Sequence, residues 1–381
     1  MTRIPLHKPY WGISAERAIV KAMRTGTGVA DGPESVRMRE KLKRITGAKF
    51  AMPATSATHA MEATVACLGA KTGDEVIVPS FTLSSTATAV MIRGAKPVFA
   101  DIDPITYCLD PIDVAKVITK RTVGIITEHY GGFASENFEK LLKLARAHRL
   151  WIIEDAAHCI GSYYKGRHLG TFGNAGAFSF HGTKNVATGE GGAMVTNDRK
   201  LADKLEIFRA VGTDRQAFLA GKVPIYRWVG EGSSYLLSDL LAALANVQLD
   251  QINYINKKRT RIASFYTKEL HKYSDFIQLP GIPKGMTNPN WHIYAIKFKN
   301  PTHRKMFVVG MRKKGIEVST HFVPLHSSPM GKKLGGNKRK LPVTDDVAAT
   351  LVRLPIYPDL TKSDVRLVVS TARGILRTEE R

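Results

Sequence analysis

A chain of 381 residues, of which 44% are hydrophobic, is long enough for one large domain or two unequal domains with a substantial core. No apolar run is long enough for a signal peptide or a membrane span, so the composition excludes an integral membrane protein. The formal net charge of +23 indicates an anionic partner: a nucleic acid, a membrane surface or a phosphorylated small molecule.

The cysteines and the basic clusters limit which compartment and which partners fit this chain. Cys67, Cys108 and Cys159 are scattered and have no metal-ligand spacing, which predicts a reduced, cytoplasmic protein without a bound metal. The basic clusters at 311–315 and 331–340 contain no helix-turn-helix, zinc-finger or aromatic-interleaved pattern. We therefore interpret them as solvated surface and expect no nucleic acid and no membrane insertion. Part of the charge is assigned to a phosphorylated substrate.

Apolar runs alternate with amphipathic segments from residue 50 to about residue 200, and residues 50–69 read as strand, turn and helix. Further buried strands are predicted at 75–79, 96–102, 122–127, 150–155, 177–180 and 193–196. Helices are predicted at 86–94, 112–120 and 138–149. This alternation indicates an α/β fold with a mostly parallel sheet covered by helices, and such sheets bind ligands at the carboxyl ends of their strands.

The pattern changes after residue 198. A helix at 199–212 is followed by a loop-rich stretch to residue 234, and a helix over 236–249 leads into a long helix near 250–270. Strict alternation predicts a strand at 292–298, and 308–320 reads as helix, turn and strand. We expect a large domain over 1–250, which includes the N-terminal arm, and a smaller α+β domain over 251–381. No flexible linker separates them, so a continuous helix should join them.

The stretch GAFSFHGTKNVATGEGGAMVTND places Lys184 between a buried strand and the glycine-rich turn at 189–192. A lysine is usually a solvated surface charge. At the mouth of a buried α/β core, however, desolvation lowers the pKa of the amine and makes it a nucleophile. Lys184 is therefore the first candidate for a catalytic residue.

Other polar residues end or follow the predicted strands. Asp155 ends a buried strand, where it is either a structural cap or ion-pair partner, or a partner for a protonated ring nitrogen. Thr55, Ser56 and Thr58 stand at a helix start, where they are either N-caps or part of a phosphate-binding cup. Ser179 adds a hydroxyl inside an apolar strand. Together with the lysine, this set is what pyridoxal 5'-phosphate (PLP) requires of a protein.

The segment EDAAHCIGSYYKGRHLGTFGNAGAFSFHGTKNVATGEGGAMVTND strongly resembles the PLP-dependent, fold-type-I sugar-nucleotide aminotransferases of the DegT/StrS group. DGPESVRMRE, GDEVIVPSFT, RGAKPVFADID, THFVPLHSSP and RLPIYPDL extend the resemblance nearly end to end. It implies an aspartate-aminotransferase-like α/β fold with a smaller C-terminal domain. Residues 208–243 resemble the subgroup that aminates dTDP-4-oxo-6-deoxy-D-glucose.

The resemblance also implies roles around the cofactor ring. Lys184 would bind the cofactor as a Schiff base and then move a proton as base and acid. Asp155 would keep the pyridine nitrogen protonated. His158, three residues further on, would lie near the phenolic oxygen of the cofactor.

The remaining cofactor residues follow from the same resemblance. Ser179 and the turn of Ser56 and Ala57 would hold the phosphate. Ser234 stands where many relatives have an Asn that reaches the phosphate of a neighbouring subunit, which implies a homodimer with shared active sites. Leu83 replaces the aromatic residue that usually stacks on the ring, so the expected packing there is purely apolar.

The implied reaction transfers the amino group of L-glutamate to the C4 ketone of a nucleotide-linked 4-oxo-6-deoxy sugar. dTDP-4-oxo-6-deoxy-D-glucose is the favoured substrate, giving dTDP-4-amino-4,6-dideoxy-galactose or -glucose, as part of polysaccharide or antibiotic-sugar biosynthesis. A diphosphate substrate suits a basic cleft. His321 and His326 are substrate candidates, with an ordinary polar residue at a strand end as the equal alternative.

Three alternatives stand beside this reading. A sugar 3-dehydratase is disfavoured because those relatives replace the Schiff-base lysine with histidine. A second alternative is an aminotransferase that acts on a GDP- or UDP-linked sugar or on a 3-oxo sugar. Only the resemblance at 208–243 distinguishes it from the favoured enzyme for a dTDP-linked 4-oxo sugar. A non-catalytic PLP-binding or nucleic-acid-binding protein is the remaining class. The C4 configuration of the product stays open.

Overall fold

The computed structural model describes residues 3–25 and 30–378. Its helices are α1 (Ile13–Arg24), α2 (Pro33–Thr46), α3 (Ala57–Cys67), α4 (Ser84–Met91), α5 (Pro111–Val117), α6 (Phe138–Ala147), α7 (Arg199–Arg209), α8 (Arg215–Leu219), α9 (Asp239–Asp250), α10 (Ile252–Leu270), α11 (Pro301–Lys313), α12 (Pro329–Lys333), α13 (Pro342–Thr350) and α14 (Lys362–Thr378).

The strands are β1 (Phe50–Ala54), β2 (Glu75–Pro79), β3 (Lys96–Ala100), β4 (Thr122–Glu128), β5 (Trp151–Asp155), β6 (Tyr163–Tyr164), β7 (Arg167–His168), β8 (Ala175–Ser179), β9 (Gly192–Thr196), β10 (Ile277–Gln278), β11 (Met286–Asn288), β12 (Tyr294–Phe298) and β13 (Leu351–Leu354).

Seven strands form the central sheet in the order β1-β9-β8-β5-β4-β2-β3. The pairs β3–β2, β2–β4, β4–β5 and β5–β8 are parallel, whereas β9 runs antiparallel to both β8 and β1. Buried side chains from the helices pack on both faces of this sheet and form two clusters. The predicted α/β fold with a mostly parallel sheet is therefore confirmed.

A smaller sheet, β10-β12-β13, has its own core against α10, α11 and α14. Tyr266, Phe298, Phe307 and Val368 are fully buried there. The predicted strand at 292–298 is confirmed as β12. The expected continuous helix is divided, because α9 ends at Asp250 and α10 starts at Ile252. The intervening Gln251 has φ −97° and ψ 4°, which departs from helical geometry.

The strand predicted at the end of 308–320 is wrong. Ile316 and Ser319 form only isolated bridges, to Ile4 and Arg353 respectively. Each bridge joins segments that are far apart in the sequence, so local alternation could not show that pairing stops after one residue. Within the described residues, no helix is long and apolar enough to cross a membrane.

Parallel pairing brings the site residues to one edge of the central sheet. Glu128 and Asp155 end β4 and β5 and are direct register partners. Ser179 ends β8, the next strand along. The N-terminus of α3 follows β1. The carboxyl edge of the sheet is therefore lined by polar groups, as expected for a ligand site.

Candidate active site

A cavity of about 550 Å³ opens at this edge, between the central sheet and the smaller one. It is large enough for a cofactor together with part of a substrate. It brings together nine residues singled out from the sequence: Ser56, Ala57, Thr58, Leu83, Asp155, His158, Ser179, Lys184 and His321.

Lys184 lies just beyond β8, where its backbone N–H donates to the carbonyl of His181 at 2.8 Å. Burial lowers the pKa of its amine, and the carboxyl groups of Asp155 and Glu128 partly oppose that change. The Arg353 guanidinium lowers the same pKa further. A larger fraction of the amine is therefore neutral, and nucleophilic, near pH 7 than in an exposed lysine.

Asp155 is buried and faces the cavity, whereas its neighbour Glu154 turns to the opposite face of β5 and accepts backbone N–H groups of Gly170, Phe172 and Gly173. The Asp155 carboxylate accepts from the Thr86 hydroxyl at 3.0 Å and from a backbone N–H at 3.2 Å. It forms no ion pair with a described residue. Burial raises its pKa. The structural ion-pair alternative is therefore wrong, and a cationic ligand group would satisfy this carboxylate.

His158 is held as a neutral ring. Its Nδ1 accepts from the backbone N–H of Gly131 at 3.2 Å, which leaves Nε2 to carry the proton. Burial, and then the charge of Lys184, places its pKa well below the usual value. The ring packs on His292, with centroids 4.4 Å apart. His158 is thus a candidate hydrogen-bond donor from Nε2.

Sequence reasoning missed Glu128, which also lines the cavity. Its Oε1 lies 3.4 Å from Nδ1 of His158, and its buried Oε2 has no hydrogen-bond partner among the described groups. Burial and the nearby charge of Asp155 raise the pKa of Glu128 to about 8, although Thr82 and Lys184 favour the ionised form. The sequence shows a carboxylic acid at the end of each of two predicted strands, but only the structure shows that these strands are neighbours with Glu128 and Asp155 in register.

The N-terminus of α3 forms one wall of the cavity. Ser56 caps this helix, its hydroxyl oxygen accepting from the His59 N–H at 3.0 Å, and Ala57 and Thr58 line the cavity in the first turn. The first N–H groups of a helix have no intrahelical acceptor and attract an anion. The N-cap role of Ser56 is therefore confirmed, and phosphate binding by the same turn stays a prediction. The Ser179 hydroxyl accepts from a backbone N–H at 3.3 Å. Ser179 also lines the cavity.

The remaining predicted residues divide into two groups. Leu83 lines the cavity with 56% of its surface exposed, so its apolar side chain is available to pack on a ring. His321 also lines the cavity, and burial with the charges of Arg353 and Lys184 lowers its pKa to about 2. Ser234 lies outside the cavity of its own chain, where it bridges Ala210.

His326 also lies outside the cavity. It is buried, its Nδ1 is 2.7 Å from the hydroxyl oxygen of Ser80, and its Nε2 is 3.5 Å from a carboxylate oxygen of Asp345. These contacts place it in a structural network that joins the loop after β2 to the segment before α12. Of the two histidines, His321 alone has the location expected of a substrate residue.

The residues in the cavity fit PLP. A lysine amine of lowered pKa, an aspartate without an ion pair, and a helix N-terminus with two serine hydroxyls lie around one space. Gly192 makes part of this arrangement possible. A Cβ on Gly192 would lie 2.3 Å from the carbonyl carbon of Ser56 and 2.5 Å from the N of Ala57. The cup therefore depends on the absence of a side chain at the start of β9.

Comparisons with known proteins agree with this assignment. The model of the DegT/DnrJ/EryC1/StrS aminotransferase family matches residues 13–373. The chain is 32% identical to the spore coat polysaccharide biosynthesis protein SpsC of Bacillus subtilis, over 98% of this chain and 97% of that protein. It is 30% identical to the crystal structure of S. venezuelae DesV, with a TM-score of 0.87 over 95% of this chain and 94% of that one.

A further solved structure is PseC of Helicobacter pylori, described as an aminotransferase involved in the biosynthesis of pseudoaminic acid. It is 25% identical, with a TM-score of 0.90 over 98% of this chain and 99% of that one. The similarity in each case covers nearly the whole length of both chains.

Proposed function

We propose a specific reaction for this chain, which belongs to the DegT/DnrJ/EryC1/StrS aminotransferase family of PLP-dependent sugar aminotransferases. In this reaction the amino group of L-glutamate is transferred to the C4 ketone of a nucleotide-linked 4-oxo-6-deoxy sugar. The products are 2-oxoglutarate and a 4-amino-4,6-dideoxy sugar nucleotide. The observation that carries the proposal is the convergence of Lys184, Asp155 and the α3 N-terminus on one cavity.

When bound, PLP supplies an aldehyde carbon that carries the amino group and a ring that takes up electrons. Residues of the protein hold the cofactor and set the protonation of its ring. Ser56, Ala57 and Ser179 hold the phosphate, and Asp155 keeps the ring nitrogen protonated through a buried charge-assisted hydrogen bond. Nε2 of His158 donates to the phenolic oxygen.

Lys184 has two tasks in this scheme. Its amine would hold the cofactor at rest and would be free once an amino donor is bound. It would then accept a proton from the α carbon of the donor and deliver it to the former aldehyde carbon of the cofactor. A lowered pKa makes both tasks possible near pH 7, because a permanently protonated amine could neither attack a carbonyl nor accept a proton.

Three observations support the choice of substrate class. SpsC is described as a spore coat polysaccharide biosynthesis protein and PseC as an aminotransferase involved in pseudoaminic acid biosynthesis, and both descriptions suit an enzyme that acts on sugars. Residues 208–243 resemble the transaminases that act on dTDP-4-oxo-6-deoxy-D-glucose. The high positive charge suits a diphosphate substrate. We therefore propose dTDP-4-oxo-6-deoxy-D-glucose as the acceptor.

The proposed assembly is a cytoplasmic homodimer. Free Cys67, Cys108 and Cys159, two of them buried, are typical of a reducing compartment. Ser234 lies outside the cavity of its own chain, which is compatible with a contact across a dimer interface to the partner's cofactor phosphate.

The test incubates the PLP-loaded protein with L-glutamate and dTDP-4-oxo-6-deoxy-D-glucose, and follows 2-oxoglutarate and the amino sugar together by NMR. Equal amounts of both products support the proposal, and the C4 configuration then distinguishes galacto from gluco. GDP- and UDP-linked 4-oxo sugars and a 3-oxo sugar are assayed in parallel. A clear preference for one of these overturns the substrate assignment, and Lys184→Ala is the inactive control.

A further inference from the structure

Two adjoining cavities, of about 350 Å³ and about 360 Å³, lie between α10 and α14. Phe265 and Arg366 line both of them, so the two cavities form one groove along the pair of helices. We call it the α10–α14 groove. It shares no lining residue with the active-site cavity. The groove is therefore a separate feature of the surface, which none of the roles above uses.

The groove follows one face of each helix. Its lining residues recur at every third or fourth position, over 258–269 of α10 and over 362–377 of α14. Positions three or four apart lie on the same side of an α-helix. With a rise of 1.5 Å per residue, these stretches give the groove a length of about 16–22 Å, or about three to four helical turns.

The floor of the groove is apolar. Ile262, Val365 and Val369 are buried there and belong to the core of the smaller sheet. Phe265 packs against the same core but remains partly exposed in the middle of the groove. An apolar strip at the bottom of a groove between helices is typical of a site that receives the apolar face of a third helix.

Gly374 is an exposed residue in the interior of α14, and it also lines the groove. Glycine is the least favourable residue for a helix interior apart from proline. A Cβ at this position would meet nothing within 4 Å. Packing among the described residues therefore does not require a glycine here, whereas the close approach of another backbone from outside would.

The rim of the groove is strongly basic. Glu269 is the one acidic residue among the residues that line it, and it already pairs with Arg373 at 3.0 Å. The other cations of the rim form no ion pair with a described residue, so the rim carries unpaired positive charge. The basic residues of the rim are Lys258, Arg261, Lys362, Arg366, Arg373 and Arg377.

An apolar floor beneath a basic rim indicates the class of partner. A membrane surface is bound by apolar side chains that protrude into it, but here they lie below the cations. A nucleic acid is held by phosphate contacts and base stacking, and the aliphatic floor supplies neither. A second copy of this chain in a symmetric contact would place the same cations opposite each other. An acidic amphipathic helix uses both the floor and the rim.

We propose that the α10–α14 groove binds an acidic amphipathic helix of a partner protein. The apolar face of that helix packs on Phe265, and its carboxylates pair with the arginines of the rim, which can accept a carboxylate with two parallel hydrogen bonds. The proposal does not depend on the aminotransferase reaction. It assigns part of the formal net charge of +23 to a protein partner.

The test measures binding of fluorescein-labelled peptides to the full-length protein by anisotropy at physiological salt, where nonspecific charge attraction is screened. The first peptide is an amphipathic helix of leucine and glutamate, about four turns long. The second has the same composition in a scrambled order without an apolar face, and in the third lysine replaces glutamate. We expect the first peptide to bind about tenfold more tightly than the second, and the third not to bind.

Protein variants then locate the site. The double variant Arg261→Glu with Arg366→Glu should weaken binding of the first peptide about 30-fold or more, because it places like charges opposite each other. Lys140→Glu with Lys143→Glu, at exposed positions of α6, changes the net charge by the same amount and should stay within about twofold. Gly374→Leu keeps every charge but fills the groove, and should weaken binding about tenfold. Circular dichroism and urea midpoints confirm that each variant is folded.

The remaining outcomes overturn the proposal. Equal binding of the amphipathic and scrambled peptides, or an equal loss in the α6 control, would show general charge attraction rather than a groove site. Vesicles containing phosphatidylglycerol and a short duplex DNA are titrated with the same variants. Groove-dependent binding of either one without binding of the amphipathic peptide would assign the groove to lipid or nucleic acid. Absence of binding by every probe would equally contradict a docking role.

Discussion

Single charged residues of the cavity are held in unusual protonation states by their surroundings. Asp155 and Glu128 are register partners at the ends of β4 and β5, buried together near Lys184. Burial raises the pKa of both carboxyl groups, and the nearby charge of Asp155 raises that of Glu128 further, to about 8. We therefore propose that Glu128 keeps its proton near pH 7 and that Asp155 is the carboxylate available to a cationic ring nitrogen.

This assignment predicts a pH-dependent stability difference for Glu128→Gln in the cofactor-free protein. The folded-state pKa of Glu128, about 8, lies above its usual 4.5, so its contribution to folding is complete at low pH and is lost as pH rises toward 8. Glutamine cannot lose a proton. The variant should therefore gain stability relative to the wild type as pH rises, by up to about 1.4 kcal/mol per unit.

Urea denaturation at about pH 5 and about pH 8 measures this difference. The difference between the two proteins gives the contribution of Glu128 together with its coupling to Asp155. A wild-type-minus-variant difference that is equal at the two pH values would contradict the assigned protonation.

At the scale of elements, the proposed phosphate cup depends on how closely β9 approaches the N-terminus of α3. Gly192 begins β9, pairs with Ala54 and Ser179, and leaves no room for a Cβ beside Ser56. The atoms it would strike are backbone atoms, which cannot rotate away. The absence of a side chain at Gly192 therefore allows β9 to lie this close to the N-terminus of α3.

Gly192→Ala is expected to weaken PLP binding about tenfold or more, because the first turn of α3 must shift away from the phosphate. The matched control is Gly182→Ala in the same segment, where the nearest atom to an added Cβ is 3.8 Å away. Fluorescence titration with PLP gives both affinities. Equal affinities in the two variants would show that the approach of β9 does not shape the cup.

The strands and helices show which features of the fold and the site local sequence patterns can predict. Strand β2 was predicted to the residue because it is buried along its length and bounded by polar turns. Glu128 was missed because its significance depends on the β4–β5 register, which no local pattern reveals. His326 was grouped with His321 by proximity in sequence, yet Ser80 and Asp345 hold it outside the cavity. Arg353 was interpreted only as part of a motif, because the absence of an acceptor for its Nε among the described residues is visible only in three dimensions.

At the scale of the whole molecule, one surface segment is unusually apolar. Ile225, Tyr226, Trp228 and Val229 are all exposed, and Trp228 shows 82% of its surface. Such a cluster marks an interaction surface. It lies in the same loop-rich stretch as Ser234, the residue that we propose to contact the cofactor phosphate of a neighbouring subunit. We also propose a boundary near residue 250 between the large and small domains, where α9 gives way to α10.

The homodimer model predicts that Trp228→Glu weakens self-association, because a carboxylate would be buried in an apolar contact. Sedimentation velocity should give a dimer for the wild type and a monomer or a concentration-dependent mixture for the variant. Met306→Glu, at another exposed apolar position, on α11, is the control and should remain dimeric. A monomeric wild type would contradict the model of shared active sites.

The most direct test of the central claim is the absorption spectrum of the purified protein with PLP, before and after addition of L-glutamate. We expect the band of the lysine-bound cofactor to form, L-glutamate to replace it with that of the aminated cofactor, and Lys184→Ala to abolish the initial band. PLP binding without any response to an amino donor would contradict the transaminase assignment. An unchanged band in Lys184→Ala would contradict the role of this lysine.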